Sequence, residues 1–355
     1  MKFLKSKFIR GAVVAFAMLP AGQSARAQEV GTPESNKDVA RRFIMATPTG
    51  DANVLRAVMA PDAHLALRIA GVYSPELKAF QDGIEWNRDQ LIKMEQDRAK
   101  ALKGPLTVKI LSMVTDGGDH VAAEVEAKGV RASNNKPYIQ HYSYHFQVRN
   151  QKVVDAHLYQ DTFHEWDVWQ NPGIPTVNKR PPPDFASNST PLDLPKTVTP
   201  EQMAAGKESI RRWANALPSL DPATLGAQLA PDFVWMFAMG GEYSPEKRNF
   251  PGTVTRLDHD GTVKFQMAFQ VGLKEPETFE IYSLMVDGSE ACGEFVGLNV
   301  GKDGNAYRQH YSIHFKLRDG KMVEGHVYQD TLHQFDHSIK REKYAPVFAP
   351  IYPKG

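Results

Sequence analysis

Two long stretches of this 355-residue chain repeat each other in the same order. The repeated segments are GVYSPE at 71–76 and GEYSPE at 241–246, HYSYHF at 141–146 and HYSIHF at 310–315, and HLYQDT at 157–162 and HVYQDT at 326–331. A spacing of about 170 residues is far longer than a solenoid repeat, which has about 20 to 50 residues, and it suits a self-sufficient domain. The sequence therefore predicts a tandem duplication of one whole domain, with the two copies packed as an intrachain pseudo-dimer.

The N-terminus has the pattern of an export signal. Basic residues up to Arg10 precede an apolar run at 11–19, and an Ala-Arg-Ala triplet at 25–27 offers a small-x-small cleavage site. We expect residues 1–27 to be a signal peptide and the mature protein to be periplasmic or secreted. After cleavage no membrane association is expected, because no later apolar stretch is long enough to span a bilayer.

Charge and cysteine content narrow the class of protein further. The chain has 42 basic and 41 acidic residues, so no charge excess favours a nucleic acid as partner. Cys292 is the only cysteine, which rules out an intrachain disulfide and suggests a small buried core residue.

Proline-rich composition marks the boundary between the two copies. Proline at high density disfavours helix interiors and central strands, so this segment is expected to run extended. The predicted organisation is a first domain at 28–169, a Pro-rich linker at 170–199, a second domain at 200–340 and a C-terminal tail at 341–355.

Within each copy the hydrophobic periodicity predicts helices first and strands after. Predicted helices are Asn36 to Ala46, Asp51 to Met59, Pro200 to Leu217 and Asp221 to Leu229. Predicted strands of the first copy are Ala63 to Ile69, Thr107 to Val114, His120 to Lys128, Tyr138 to Arg149 and Lys152 to Asp161. This order predicts an α+β domain in which helices are followed by a meandering antiparallel sheet.

The last two strands of each copy are predicted to form a hairpin. Asp319-Gly320 is a strong two-residue turn, and Asn150-Gln151 takes its place in the first copy. Counting from that turn puts His145 opposite Ala156. One face then carries His141, Ser143, His145, Leu158 and Gln160, and the other carries Tyr142, Tyr144, Phe146, His157, Tyr159 and Asp161. We expect the first face to line a pocket and His157, Tyr159 and Asp161 to contact the other copy.

This pattern resembles the nuclear transport factor two-like superfamily, in particular its SnoaL-like polyketide cyclase branch. The Gly-x-Tyr-Ser-Pro-Glu turn, the strand Tyr-x-x-x-Phe, the Asp-Gly-Lys turn and the final Tyr-x-Asp carry the resemblance. It implies a cone-shaped domain around one apolar pocket, frequent dimerisation and, in several enzymes, an acidic residue on the last strand. Here Leu158 and Val327 occupy the matching positions, so that acid is missing in both copies.

The histidines and glutamates of the repeated strands are the candidate acid–base groups, since an imidazole beside a carboxylate can move a proton near neutral pH without a cofactor. We expect His145 to act with Glu124 and His314 with Glu294. The candidate catalytic residues are His145, Glu124, His141, His314, Glu294 and His310. The candidate substrate-binding residues are Arg68, Tyr73, Trp86, Gln160, Trp235, Tyr243 and Gln329. No metal is expected, because His141 and His145 lie roughly 13 Å apart along a strand.

The sequence favours an exported, cofactor-independent lyase or isomerase that uses His and Glu on a small hydrophobic molecule, aromatic or polyketide-like. Retro-aldol cleavage, dehydration and cyclisation all need such a base and acid. A non-catalytic binding protein for a hydrophobic ligand is the alternative, favoured by the missing strand acid. A pseudo-dimer that pairs with another exported protein, or that assembles into a homo-oligomer, is a third possibility.

Overall fold

The computed structural model describes residues 32–69, 85–169, 198–238, 256–302, 304 and 306–338. The predicted signal peptide, nearly all of the predicted linker, the predicted C-terminal tail, Tyr73 and Tyr243 lie outside these residues.

The first half of the chain combines short helices with six strands. Its helices are α1 (Pro33–Ala46), a 3-10 turn (Thr47–Thr49), α2 (Ala52–Val58), α3 (Arg88–Lys100) and α4 (Thr162–Trp169). Its strands are β1 (Met59–Leu67), β2 (Glu85–Asn87), β3 (Thr107–Thr115), β4 (His120–Val130), β5 (Pro137–Arg149) and β6 (Lys152–Gln160).

The second half repeats this order. Its helices are α5 (Pro200–Ala216), α6 (Pro222–Gly226), α7 (His259–Val271) and α8 (Thr331–Ser338). Its strands are β7 (Leu229–Phe237), β8 (Arg256–Asp258), β9 (Leu273–Asp287), β10 (Glu290–Gly301), β11 (Ala306–Arg318) and β12 (Lys321–Gln329). Two tandem α+β domains are therefore confirmed, with the helices and strands predicted from the sequence within a few residues of their observed bounds.

Each domain contains one six-stranded sheet. The strand orders are β2-β1-β6-β5-β4-β3 and β8-β7-β12-β11-β10-β9. The expectation of a fully antiparallel sheet is wrong at one pair in each domain, because β1 runs parallel to β6 and β7 runs parallel to β12. The intervening helix and strands provide the long crossover that a parallel pair requires.

Side-chain caps explain where the helices begin. The Thr32 hydroxyl accepts a hydrogen bond from the Ser35 amide at 3.2 Å, and Pro33 occupies the first turn of α1, where its missing N–H costs nothing. Asn87 and Gln90 form a reciprocal capping box at the start of α3. Hydrogen bonds between residues close in sequence therefore determine where the helices that cover the sheet begin.

One face of each sheet packs against the helices and forms an aromatic core. Phe43 of α1 meets Phe146 of β5 edge to face at 5.2 Å between ring centroids. Trp213 of α5 takes the corresponding place in the second domain and contacts Phe315 at 5.8 Å. Burial of these large rings supplies much of the apolar contact area of each domain.

The register of the final hairpin differs from the predicted one. Asn150 and Gln151 both have positive φ, as a tight two-residue turn requires, and Arg149 pairs with Lys152. A bulge then interrupts the ladder next to Val148. Beyond it His145 lies opposite His157, not Ala156, and the same shift recurs between Lys316 and Leu317 in the second domain. The extra residue moves the downstream side chains of β6 to the other face.

The other faces of the two sheets contact each other. His145 and His157 therefore share this face with Tyr159, whereas Leu158 and Gln160 face the helices. The prediction that His157, Tyr159 and Asp161 contact the second copy is confirmed by hydrogen bonds that join them to it.

Candidate functional site

The interface between the sheets gathers most of the predicted catalytic residues. Glu294 accepts hydrogen bonds from His157 at 2.7 Å and from Tyr159 at 2.8 Å. Glu124 accepts the equivalent bonds from His326 at 2.5 Å and from Tyr328 at 2.6 Å, so the arrangement is pseudo-symmetric. Each carboxylate is thus held by the other copy.

Two serines and two histidines form the centre of this interface. Ser143 and Ser312 lie 2.8 Å apart, His145 Nε2 lies 2.8 Å from the Ser312 hydroxyl, and His314 Nε2 lies 2.8 Å from the Ser143 hydroxyl. All four side chains are buried. The expected pairs His145–Glu124 and His314–Glu294 are exchanged across the copies. His145 Nδ1 lies 3.6 Å from Glu294, and the charge of Glu124 acts on His314.

The charge states of the histidines and glutamates at this interface depend on the groups that each of them contacts. Burial alone would lower the pKa of His157, yet its hydrogen bonds to Asp155 and Glu294 raise that pKa to about 9. Glu124 and Glu324 likewise raise the pKa of His326 to about 9 against the effect of burial. The pKa of Glu294 lies well below its ordinary value despite burial. The interface therefore contains ion pairs near neutral pH.

The two central histidines behave in the opposite way. Burial lowers the pKa of His145 to about 4, and burial lowers the pKa of His314 to about 4 as well. Both imidazoles are therefore neutral near pH 7 and act as hydrogen-bond partners of serine.

His141, His310 and Arg68 also lie away from the helix-covered face. His141 is buried, with its Nε2 atom 3.2 Å from Glu126. His310 stacks beside Tyr282. Arg68 lies next to His157 at the sheet interface.

The first domain encloses a cavity of about 440 Å³ between its sheet and its helices. This volume falls in the range of small-molecule sites, which is about 300 to 1,000 Å³. The described lining residues are Phe43, Leu65, Leu67, Trp86, Leu91, Met94, Glu95, Asp97, Arg98, Ala101, Arg131, Tyr144, Leu158, Gln160, Glu165 and Trp169. Among them are no histidines, so the first cavity contains a different set of acid–base groups from the one predicted.

Glu95 is the central titratable group of the first cavity. It projects from α3, is only 3% exposed and lies 2.5 Å from the Arg98 guanidinium, one helical turn away. Burial raises its pKa to about 7, because the loss of water outweighs the favourable charge of Arg98. A carboxyl group with this pKa can take up and release a proton at neutral pH.

A chain of hydroxyl groups connects this pair to a second carboxyl group. The Arg98 guanidinium lies 3.4 Å from the Tyr142 hydroxyl, which hydrogen-bonds to the Tyr138 hydroxyl. Tyr138 in turn donates to Glu165 of α4 at 2.7 Å. Burial raises the pKa of Glu165 as well. Two of the carboxyl groups that line the first cavity, Glu95 and Glu165, are therefore connected through Arg98 and two phenols.

The second domain encloses a smaller cavity of about 160 Å³. Its described lining residues are Trp213, Leu217, Trp235, Phe237, Phe265, Gln266, Phe269, Gln270, Leu273, Glu277, Phe279, Asn299, Tyr307, Tyr311, Ile313, Val327, Gln329 and Gln334. Trp235 fits beside β12 because residue 325 is glycine, and a Cβ there would lie 2.6 Å from the indole ring.

Four of the predicted substrate-binding residues line these cavities, and their roles stay predictions. Trp86 and Gln160 line the first cavity, and Trp235 and Gln329 line the second. Leu158 and Val327 also face the cavities, as the resemblance to the SnoaL-like branch implies for that strand position.

Sequence reasoning missed Glu95 and Arg98 because it missed α3. Two signals mark this helix: the Asn87-x-x-Gln90 capping box, and the apolar pair Leu91 and Met94 that faces the cavity. Glu95 continues that apolar surface with a charge, which is the pattern expected of a functional carboxyl group.

Among the described residues, no group of three or more His, Cys, Asp or Glu side chains could hold a metal ion. No helix in the described ranges is long and apolar enough to cross a membrane.

Comparisons with known proteins identify the fold. The family model of the SnoaL-like domain matches residues 210–325, which is most of the second domain. No curated protein matches the chain.

Several solved structures are similar to one domain at a time. IdmH from Streptomyces antibioticus, a candidate polyketide cyclase, is 22% identical, with 36% of this chain and 92% of IdmH covered and a TM-score of 0.29. An LEH-like epoxide hydrolase from M. tuberculosis is 17% identical, with 38% of this chain and 89% of the hydrolase covered and a TM-score of 0.30. A nuclear transport factor two-like protein from Burkholderia xenovorans is 18% identical, with 39% and 97% covered and a TM-score of 0.30.

Residues 210–325 are therefore similar to SnoaL-like domains, which have the nuclear transport factor two-like fold. The first half has the same strand order and the same helix positions. The protein thus contains two tandem domains of this fold.

Proposed function

We propose that this protein is a cofactor-independent lyase or isomerase that acts on a small hydrophobic, aromatic or polyketide-like molecule in the first cavity. The observation that carries the proposal is Glu95, a buried carboxyl group beside Arg98 whose pKa is raised to about 7 in an otherwise largely apolar cavity. Buried titratable groups with a specific charged partner in a cleft are typical of acid–base sites.

The chemistry needs one proton to leave the substrate and to return. In an isomerisation, ionised Glu95 takes a proton from a carbon next to a carbonyl, and the same proton is returned to another carbon of the enolate. In a retro-aldol cleavage, Glu95 takes the hydroxyl proton, the carbon–carbon bond breaks, and protonated Glu95 delivers that proton to the carbanion. Both reactions balance without an oxidant or a reductant.

The neighbours of Glu95 suit this role. Arg98 stabilises the ionised form of Glu95 and fixes its orientation. Gln160 adds a side-chain amide to the same cavity. Its N–H groups are donors of the kind that stabilise a developing oxyanion. Trp86 and Trp169 add aromatic surface for a planar substrate.

The second candidate function is a non-catalytic binding protein for a hydrophobic ligand. Leu158 and Val327 favour it, since neither cavity has an acidic residue at this position of the last strand. Either function is proposed for an exported protein, because residues 1–27 have the pattern of a cleaved signal; N-terminal sequencing of the periplasmic fraction tests that location.

The enzymatic proposal is tested by incubating the mature protein with a pool of aromatic metabolites and lignin fragments and following each compound by mass spectrometry. Wild type and a Glu277→Gln variant, whose change lies in the second cavity, are expected to deplete the same compound. A Glu95→Gln variant is expected to leave it intact. If none of the three proteins depletes a compound but one compound binds without being changed, the result favours a non-catalytic binding protein.

A further inference from the structure

The second cavity differs from the first in charge as well as in size. Residues at matching helix positions are Glu95 and Gln266, eight residues after each N-cap, and Arg98 and Phe269, three residues later. The charged pair of the first cavity is therefore replaced by an amide and a ring. The acid–base arrangement proposed for the first domain has no equivalent on this helix of the second.

Aromatic side chains form a large part of the walls of the second cavity. They are Trp213, Trp235, Phe237, Phe265, Phe269, Phe279, Tyr307 and Tyr311. Trp213 and Trp235 lie 5.4 Å apart between centroids, and Trp213 meets Phe279 edge to face at 5.9 Å. Such walls favour a flat apolar ligand through dispersion and edge-to-face contacts.

A small polar group lies within this aromatic surface. Glu277 is 5% exposed and accepts hydrogen bonds from the Tyr311 hydroxyl at 3.2 Å and from the Asn299 amide at 3.4 Å. Gln270 fixes the backbone of this residue by accepting from its N–H at 2.7 Å. Burial raises the pKa of Glu277 to about 7, so the cavity is uncharged at mildly acidic pH.

One buried acceptor of this cavity has no partner among the described residues. Gln266 is 8% exposed, and its Oε1 atom accepts no hydrogen bond there. A buried unpaired carbonyl oxygen is unfavourable, and a ligand hydroxyl group would relieve it.

We infer that the second cavity is a separate binding site for an uncharged phenol of one aromatic ring. Its volume of about 160 Å³ is close to the roughly 150 Å³ of an apolar protein cavity that takes up benzene. The described lining contains no Lys, Arg or His, so a benzoate-type anion would meet Glu277 without a compensating cation.

The site is tested with 4-fluorophenol as the probe, followed by ¹⁹F NMR titration of the mature protein at pH 6.5. Wild type is expected to bind it saturably. Val327→Phe fills the second cavity and is expected to abolish binding, whereas the matched change Leu158→Phe in the first cavity is expected to leave the affinity within about twofold. Loss of binding in Leu158→Phe alone, or no binding to wild type, would overturn the inference.

If Val327→Phe does not fold, a milder variant tests the phenol site. Gln266→Leu is expected to weaken 4-fluorophenol binding about fivefold, the effect of one neutral hydrogen bond, and to leave the weaker binding of 4-fluorotoluene unchanged. Equal effects on the two probes would contradict the role of the hydroxyl group. Tighter binding of 4-fluorobenzylamine than of 4-fluorophenol, increasing with pH, would make this a cation site and would also overturn the inference.

Discussion

Glu95 is a buried carboxyl group in the wall of the first cavity. Glu95 faces apolar side chains of its own helix, and burying its charge there costs free energy that the contact with Arg98 offsets only in part. The result is a pKa of about 7, where the ionised and the protonated forms are both populated at neutral pH. A base of this strength is suited to reversible proton transfer.

The pH dependence of turnover should report this group. Glu95 must be ionised to take a proton, so kcat/KM of the depleted compound is expected to increase tenfold per pH unit below about 7 and to level off above it. The measurement is a series of initial rates from pH 5 to 9. A rate that is already constant above pH 5 would show that Glu95 is not the base.

Changing Arg98 should move that profile without removing it. In Arg98→Met the nearby positive charge is lost, so the ionised form of Glu95 is less favoured and the midpoint of the profile is expected to move to higher pH. Arg98→Lys keeps the charge and is expected to restore the midpoint in part. An unchanged midpoint in Arg98→Met would contradict the role of this arginine in positioning and stabilising the carboxylate.

At the scale of elements, the hairpin and α3 show what the sequence could predict and what it could not. The turn at Asn150 and the paired strands were predictable from local patterns. The bulge leaves only a weak local signal, since two adjacent apolar residues, Val153 and Val154, interrupt the alternation at that place. The extra residue puts Leu158 and Gln160 on the face opposite His145. Without the bulge, His145 would share their face and lie in the pocket, as the local pattern predicts. Long-range pairing across the copies, as between His157 and Glu294, leaves no local signal at all.

Helices α4 and α8 are fixed to each other by reciprocal side-chain bonds. Thr331 donates to Asp161 and accepts from the Phe163 amide at 3.0 Å, and Thr162 donates to Asp330 at 2.5 Å. These helices carry Glu165 and Gln334, which line the two cavities. The start of each cavity-lining helix therefore depends on the other domain.

The Thr331→Val variant tests this connection. Its side chain can neither donate nor accept, so the buried carboxylate of Asp161 loses one partner and the free energy of unfolding is expected to fall by about 2 kcal/mol. Urea denaturation measures the change, with the exposed residue Thr278→Val as the control. A change below about 0.5 kcal/mol, the range of ordinary surface substitutions, would show that the bond contributes little.

At the scale of the whole molecule, duplication has produced two domains with different interiors and one shared interface. The first cavity is charged, and the second replaces Glu95, Arg98 and Glu165 by Gln266, Phe269 and Gln334. The repeated histidines lie in neither cavity as described. Four of them, His145, His157, His314 and His326, join the sheets, which is a structural reason for both copies to retain them irrespective of any chemistry in the cavities.

This interface should make the stability of the protein depend on pH. The pKa values of His157 and His326 are raised to about 9 in the folded chain, so their stabilisation is complete below the unfolded value of about 6.5 and is lost as the pH rises through 9. Between pH 7 and 9 the free energy of unfolding is expected to fall by up to about 2 kcal/mol for each histidine. Urea denaturation at several pH values measures this, and a His157→Gln, His326→Gln variant is expected to show a flatter dependence. An equal slope in both proteins would contradict the ion pairs.

The most direct test compares how fast two folded variants turn over the depleted compound. It distinguishes a catalytic site in the first cavity from one at the interface between the sheets. Glu95→Gln is expected to lose activity by at least about a hundredfold, as for other acid–base residues. It is expected to stay folded but to melt earlier than wild type, because the buried Arg98 loses its charged partner. His145→Gln, His314→Gln is expected to melt earlier and to keep kcat within a few-fold per folded molecule. An active Glu95→Gln beside a folded but inactive histidine variant would place the chemistry at the interface and contradict a catalytic site in the first cavity.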